Sequence, residues 1–329
     1  MNTTITEAQP TPLVWIILLN WNGRDDTLAC LQSLARLEYT NTKILVVDND
    51  SHDGLIEILQ QRFPSVMLLK NQENLGFAEG NNVGIRYVLT QHADYILLLN
   101  NDTIVDPKFL SELVAIGEAH PAIGMLSPVI YHYTDPETAW FHRGVIDWQN
   151  GFAFHSSQPK TVTAIYEENT DYLSGCALLV KVQVIRAIGL LDDRFFAYYE
   201  DVDWSLRCQQ ATWKLAVVLS ASIWHKCTSD GNTDYGTFLS YRNVILLLWK
   251  HSTIIRFLYR LKRHLYRALA AYSWNREQYR STEQLHPLDG IWAGLRGKYG
   301  NSRQKMPRWA QSLCYRYYRV LLWLFRSHE

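Results

Sequence analysis

Glu200, Asp201 and Asp203 fall within four positions of "YYEDVDWSLR", beside aromatic residues. Carboxylates this close repel one another. Either the positive end of a helix dipole absorbs that repulsion, or the cluster serves chemistry, binding a cation or tuning one carboxyl to accept a proton. A second set of acids and amides ends apolar runs: Asn20 and Asn22 in "NWNG", Asp48, Asn49 and Asp53 in "VDNDSHDG", and Asn100, Asn101 and Asp102 in "LNNDT". The Asp48 stretch reads equally as a ligand-facing strand end or a turn of ordinary turn residues. In an extended "LNNDT", Asn100 and Asp102 face the same way. An amide oxygen and a carboxylate then address one divalent cation, and Mg²⁺ suits them because it fills its remaining positions with water and phosphate. The competing reading is a helix start capped by Asp106 before Pro107, which accounts for Asp106 and not for Asp102. His225, in "SIWHKCTSDG", is an available third ligand, although a lone His is more often structural. "NLGFAEGNNVGI" carries Asn74, Gly76, Gly80, Asn81, Asn82 and Gly84. Its glycines permit close backbone approach to a ligand or tight helix–sheet packing, and it lacks the phosphate-loop pattern.

The elements around these residues follow from the hydrophobic pattern. "LVWIILLN" and "KILVVDN" read as buried strands, "VMLLKN" as a short third strand and "YILLLNND" as a fourth. Helical spacing follows each, in "DDTLACLQSLARL", "GLIEILQQRF", "GFAEGNNVGIRYVLT" and "DPKFLSELVAIGEA". Alternating strands and helices predict an α/β fold with a mostly parallel sheet. Ligands of such sheets bind beyond the carboxyl ends of the strands, where the Asn- and Asp-rich stretches lie. After Ile123 the pattern changes to short strands in "AIGMLSPVIYHY", "TAWFHRGVIDW", "YLSGCALLV" and "KLAVVLS", with a helix over "EDVDWSLRCQQA". From Phe238 the chain turns helical, basic and aromatic, which places a boundary near Gly236.

The 329 residues suffice for one large domain with an appendage, or for two. A hydrophobic fraction of 47% and 12 Trp predict a sizeable core. Cys30, Cys176, Cys208, Cys227 and Cys314 are scattered, odd in number and without metal spacing, which favours a reducing compartment. "MNTTITEAQPTP" shows no signal-peptide pattern. "VWIILL" and "VILLLW" fall short of the roughly 20 apolar residues that span a bilayer. The net charge of zero conceals a split: Tyr241–Glu329 carries 17 Lys and Arg against 4 Asp and Glu, and the preceding residues carry 15 against 28. The basic tail therefore expects an anionic partner: lipid, nucleic acid or the acidic body. "LLLWKHSTIIRFLYRLKRHLYRALAAYSW" suits both an amphipathic helix at a membrane interface and a helix packed on the body. No nucleic-acid-binding motif is recognisable, and no nucleic-acid partner is expected.

Taken in order, "LLNWNGRDDTLACLQSL", "ILVVDNDSHDG", "NLGFAEGNNVGI", "YILLLNNDT", "YLSGCALLVKVQVIRAIGLLDDRFFAYYEDVDWSLR" and "WHKCTSDG" resemble glycosyltransferase family 2, in its rhamnosyltransferase-like branch. The resemblance runs from about Leu13 to His251. It implies a GT-A fold over residues 13–236, with a nucleotide-sugar half (13–122) and an acceptor half (123–236), between a flexible N-terminus (1–12) and a basic helical extension (237–329). It implies an inverting transfer of a sugar, rhamnose among the candidates, from a nucleoside diphosphate to a saccharide or lipid-linked acceptor in cell-surface polysaccharide synthesis. Asp48 would contact the nucleobase, with Asp53 and the Asn74 loop shaping a nucleotide site that also draws on Asn20, Asn22, Asn49, Gly76, Asn81, Asn100 and Asn101. Asn100–Asp102 match the D-x-D-type element with Asn100 in place of its first acid. That leaves Asp102 as the main ligand of a divalent metal (Mg²⁺ or Mn²⁺), with His225 approaching the metal or diphosphate. Asp201 matches the catalytic base. Glu200 and Asp203 would orient it or bind acceptor hydroxyls, unless Asp203 pairs with Arg207 one helical turn on. The implied setting is cytoplasmic, peripheral on the membrane face. The rival is an inactive nucleotide-sugar-binding or scaffold protein.

Overall fold

The computed structural model describes residues 11–149, 152–157, 165–226, 234–274 and 287–326. The first half is β1 (Val14–Asn20), α1 (Arg24–Leu34), β2 (Thr42–Asp48), α2 (Leu55–Arg62), β3 (Met67–Lys70), α3 (Gly76–Leu89), β4 (Tyr95–Asn100), β5 (Thr103–Val105) and α4 (Phe109–Ala119). β1 lies between β2 and β4, parallel to both, with Asn20 opposite Asp48 and Leu19 opposite Asn100. The polar strand ends therefore share one edge of the sheet. Val14–Leu18, Leu45–Val47 and Ile96–Leu99 are buried, as continuous apolar runs covered on both faces require. Gly84 lets α3 close on this sheet, since a Cβ there would lie 2.9 Å from Ile17 and 3.0 Å from Val47.

The second half contains β6 (Ile123–His132), β7 (Ala139–Phe141), β8 (Arg143–Asp147), β9 (Phe152–Ser156), β10 (Tyr166–Glu167), β11 (Ala177–Lys181), α5 (Val182–Ile188), α6 (Glu200–Gln210) and β12 (Lys214–His225). The sheet order is β10-β12-β6-β11-β4-β1-β2-β3, with β5 added to β12 and β7 to β6. β11 runs antiparallel between β4 and β6. All the other strands along that order except β10 share one direction, so the sheet is mostly parallel. "TAWFHRGVIDW" forms two strands rather than one. β7 pairs with β6, and the chain then leaves the sheet to form the β8–β9 hairpin. β12 outruns the expected "KLAVVLS" because an irregularity between Val218 and Ser222 lets it continue to His225.

The C-terminal helices are α7 (Asp234–His251), α8 (Ile254–Trp274), α9 (Pro287–Leu295) and α10 (Arg308–Arg326). Val244–Leu248 of α7 and Phe257 of α8 belong to the same core as the sheet. The expected boundary near Gly236 thus falls at the start of a helix built into the body, because "VILLLW" supplies core side chains. A smaller cluster, including Leu269, Leu288, Ile291 and Met306, joins the later helices. Among the described residues no helix is long and apolar enough to cross a membrane. No disulfide occurs among them, and burial pushes the Cys30 and Cys208 thiols up to about 12, which makes them poor nucleophiles. Most of the expected flexible N-terminus, and Cys227 with the rest of "CTSDG", lie outside the described residues.

Candidate active site

The chain enters α6 through a strained turn. Phe196, Tyr198 and Tyr199 take φ of 65°, 69° and 74°, a region that side chains disfavour and that clusters at functional sites. The turn presents Glu200 and Asp201 to a cleft of about 440 Å³ that Asn100, Trp140, His155, Tyr172 and Gly175 also line. Asp201 is half-buried. Its Oδ2 accepts the Gly175 N–H at 2.9 Å and its Oδ1 accepts the Val202 N–H at 2.8 Å. Burial raises its proton affinity, and these N–H groups oppose the rise without cancelling it. Glu200 is buried, and its Oε2 has no hydrogen-bond partner among the described residues. Desolvation, then the neighbouring Asp201 charge, hold it well above the usual carboxylate range. Asp203 is not among the residues that line the cleft, and it makes the pair with Arg207 that the helical spacing offered as the alternative to a place at the acceptor. It is fully buried and pairs with Arg207 at 2.9 Å, Lys250 at 2.7 Å and His251 at 2.8 Å. Burial alone would raise its pKa, but His251, Arg207 and Lys250 together hold it below the ordinary value.

The sheet edge is a hydrogen-bonded frame. Asn20, fully buried, donates to Asp48 Oδ1 at 3.0 Å and to Ser51 Oγ at 2.9 Å. Its own Oδ1 accepts from Thr27 Oγ1 at 2.9 Å and from Asn101 Nδ2 at 3.2 Å. Asp48 is fully buried as well, and its Oδ2 accepts the Ser51 N–H at 3.1 Å. Its carboxylate therefore does not open to a crevice, contrary to the strand-end reading. Asn22 Oδ1 accepts the His52 N–H at 2.9 Å. Asn49 donates to Asn74 Oδ1 and to the Gly76 carbonyl, both at 3.0 Å, which fastens the glycine loop to β2. Asn81, one turn into α3, donates to the Phe77 carbonyl at 2.9 Å. Gly76, at φ 79°, lies against the strained turn, where a Cβ would come within 2.5 Å of Phe196. Such pairing is what buried polar groups need, and it leaves few of these side chains open to a ligand. Asp53 is less fully paired: Oδ1 accepts the Leu55 N–H at 3.1 Å, while Oδ2 is buried without a partner among the described residues.

"LNNDT" is not extended throughout. β4 ends at Asn100, and Asn101–Asp102 turn into β5, so alternation along a strand does not aim Asn100 and Asp102 together. Asn100 lines the cleft, and Asn101 turns inward to Thr27 Oγ1 at 2.9 Å. Asp102 meets His225, because β12 pairs with β5 and places His225 opposite Thr103. Asp102 Oδ1 lies 3.1 Å from His225 Nε2. That oxygen is buried and has no hydrogen-bond partner among the described residues. A carboxylate oxygen 3.1 Å from an imidazole nitrogen pairs with it when the ring is protonated, and when the ring is neutral the two fit a divalent cation that completes its shell from phosphate and water. Among the described residues no three His, Cys, Asp or Glu side chains form a metal cluster.

Sequence reasoning missed the aromatic wall of the cleft. Trp140 packs edge-on against His155 at 4.3 Å and against His225 at 4.7 Å. Burial, then the His225 charge, lower His155 to about 4, so it is a neutral imidazole. These residues sit on β7 and β9, too short for a periodic signal; aromatic density in "TAWFH" and "FAFHSS" was the available hint. Lys226 was missed too: its N–H donates to the Asp102 carbonyl at 2.9 Å and its ammonium pairs with Asp26 at 2.6 Å.

The family model "Glycosyl transferase family 2" matches residues 15–188. An N-acetylglucosaminyl-diphospho-decaprenol L-rhamnosyltransferase of Mycobacterium tuberculosis is 28% identical over 249 residues, 68% of this chain and 80% of that protein. The dTDP-rhamnosyl transferase RfbF of Shigella flexneri is 24% identical over 197 residues, 59% of this chain and 62% of that protein. Among solved structures, a mannosyltransferase of Pyrobaculum calidifontis in complex with GDP-Man and Mn²⁺ superposes with a TM-score of 0.55 at 14% identity, covering 88% of this chain and 75% of that one. The fold is thus the GT-A arrangement that the motifs imply.

Proposed function

The chain belongs to glycosyl transferase family 2, and we propose that it moves rhamnose from a deoxythymidine diphosphate donor to a hydroxyl of a polyprenyl-diphosphate-linked saccharide, with inversion. The observation that carries this reading is the placement of Asp201 on the cleft, oriented by two backbone N–H groups and sharing that cleft with Asn100. The acceptor oxygen bonds to the anomeric carbon as the bond from that carbon to the diphosphate oxygen breaks, and the hydroxyl proton passes to the Asp201 carboxylate. Burial suits Asp201 to this by raising its proton affinity. Glu200 beside it holds its proton, which leaves Asp201 as the charged carboxylate of the two. Asp102 and His225 would hold Mg²⁺ or Mn²⁺, which when bound would offset charge on the leaving diphosphate. Asn20, Asn22, Asp48, Asn49, Asp53, Asn74, Gly76, Asn81 and Asn101 frame the nucleotide pocket. Residues 13–122 serve the nucleotide sugar, and residues 123–236 with α7 serve the acceptor.

Supporting a membrane-facing site, α8 packs one face on the β8–β9 hairpin, where Arg260 lies 4.7 Å over Trp148 and Arg267 lies 4.3 Å over Phe152. Away from that contact, with the preceding Trp249, α8 exposes Ile254 and Leu258 beside Lys262, while Ile255, Arg256 and Tyr259 stay exposed along the edge of the groove with Trp148. Apolar and basic groups together suit an anionic lipid surface, and the acceptor's polyprenyl tail would lie there. The proposed place is the cytoplasmic face of the membrane.

The test uses full-length protein with dTDP-rhamnose and a panel of other nucleotide sugars, with Mn²⁺ or excess EDTA. The cognate donor with metal should raise Tm, since a ligand at a hundred times its Kd stabilises by about 2.7 kcal/mol, and sugar should pass to a polyprenyl-diphosphate-linked N-acetylglucosamine. Stabilisation by another donor alone would overturn rhamnose. Full transfer in EDTA would overturn the metal. Donor binding without transfer to any acceptor would favour a scaffold.

A further inference from the structure

Arg242 and Asn243 lie side by side on α7, fully buried, and nothing in the proposed chemistry uses them. Asn243 Nδ2 donates to the carbonyls of Phe195, Ala197 and Tyr198 at 2.9, 2.8 and 2.7 Å. Arg242 Nε donates to Asn243 Oδ1 at 2.9 Å, which turns the amide nitrogen toward the loop. The guanidinium donates also to the Phe195 carbonyl at 2.8 Å and to the Gly300 carbonyl. Among the described residues Arg242 has no carboxylate partner within ion-pairing distance. A buried cation without a counter-charge is costly, so these two side chains serve backbone shape rather than charge balance.

The backbone they gather is the strained one. Phe196, Tyr198 and Tyr199 all have positive φ, and such conformations persist only where the surroundings over-determine them. Of the other two carbonyls of the turn, that of Phe196 accepts from Phe77 and Ala78 at the start of α3, at 2.6 and 3.1 Å, and that of Tyr199 accepts from Asp203 at 2.9 Å within α6. The turn is thus pinned on one side by the glycine loop of the nucleotide half and on the other by α7. Asp201 follows it by two residues. Further along, Lys250 and His251 of α7 hold Asp203.

We propose that Arg242 and Asn243 are positioning residues: they hold residues 195–199 in the shape that presents Asp201 to the cleft, which makes α7 part of the catalytic unit. The inference rests on the reading of Asp201 as the base. It predicts that loosening the turn displaces the carboxylate without altering nucleotide binding, and misplacement of about 1 Å lowers turnover by up to about a hundredfold.

The experiment compares wild type, Asn243→Ala, Asn243→Ser and Asp201→Asn as full-length proteins. Amide hydrogen exchange is followed over residues 194–203 and over β1–β4, with kcat, KM and the pH profile measured using dTDP-rhamnose. Asn243→Ala should speed exchange in 194–203 by about tenfold while β1–β4 stay protected. It should lower kcat by about tenfold or more, leave the KM for dTDP-rhamnose within about twofold, and move the acid limb of the pH profile as Asp201 leaves the Gly175 N–H. Asn243→Ser, which keeps one donor, should fold and fall between. Unchanged exchange in 194–203 would overturn the proposal, and so would exchange that rises uniformly with kcat lost only in proportion to unfolded protein. Retained transfer in Asp201→Asn, or no turnover of dTDP-rhamnose by wild type, would count against the base or the sugar, and exchange would still decide whether Asn243 holds the turn.

Discussion

Glu200 and Asp201 share one helix start, yet their surroundings separate them. Asp201 has two backbone N–H partners, while Glu200 is buried with an oxygen that has none among the described residues. An ordinary glutamate ionises near 4.5, and Glu200 holds its proton well above that. Between those points the folded state binds more protons than the unfolded one, so stability falls as pH rises through the window. Glu200→Gln never acquires the charge. Its Tm should match wild type at about pH 4 and exceed it by a few degrees at about pH 8. A thermal scan at the two values checks this; a lower Tm at the higher pH would show that ionised Glu200 is better satisfied than its surroundings indicate. The spacing of these acids was legible in the sequence, and so was the pairing of Asp102 with His225 as an option. The burial of Asp48 was not, because a strand's last residue can turn its side chain either into the sheet edge or out from it. The turn at Asn101–Asp102 was hidden for a related reason, since an apolar run reveals where a strand lies and not where its pleat stops.

At the scale of elements, α6 stands on Asp203. Arg207 holds it from within the helix, and Lys250 and His251 hold it from α7. Removing its charge takes a buried carboxylate from Arg207 and Lys250, which keep the Ile188 and Leu190 carbonyls and Asp192, so the loss is roughly 1–3 kcal/mol. Asp203→Asn should therefore unfold at lower denaturant concentration than wild type at neutral pH. Its pKa is lowered from 3.8, so the stability it contributes is present above that value and is lost as pH falls through the lowered folded pKa. The gap between variant and wild type should close on strong acidification, and a gap that does not depend on pH would point to packing instead. The first four strands and their helices were legible because β1, β2 and β4 are apolar runs, β3 is a short one at the sheet edge, and the helices between them repeat at about 3.6 residues. β9, β10 and the break between β7 and β8 were not, since two to five residues carry too little periodicity to mark where one strand stops and the next begins.

For the whole molecule, the charge split between body and tail was plain in the sequence, but its division into domains was not. The apolar run of α7 enters the same core as the sheet, which local composition cannot distinguish from a separate helical unit. The tail both packs on the body and exposes an apolar, basic face, so its two readings are not exclusive. Flotation with anionic vesicles should carry full-length protein at low salt and release part of it at high salt, where screening weakens the contribution of about 1 kcal/mol from each well-placed Lys or Arg. Protein that stays with the soluble fraction at low salt would end the membrane reading. The account as a whole depends on one carboxylate. Asp201→Asn, compared with wild type under saturating donor and acceptor, should keep the Tm rise that donor produces and lose about a hundredfold or more in transfer rate. Near-wild-type transfer by that variant would contradict the assignment of the base and with it the mechanism built on the cleft.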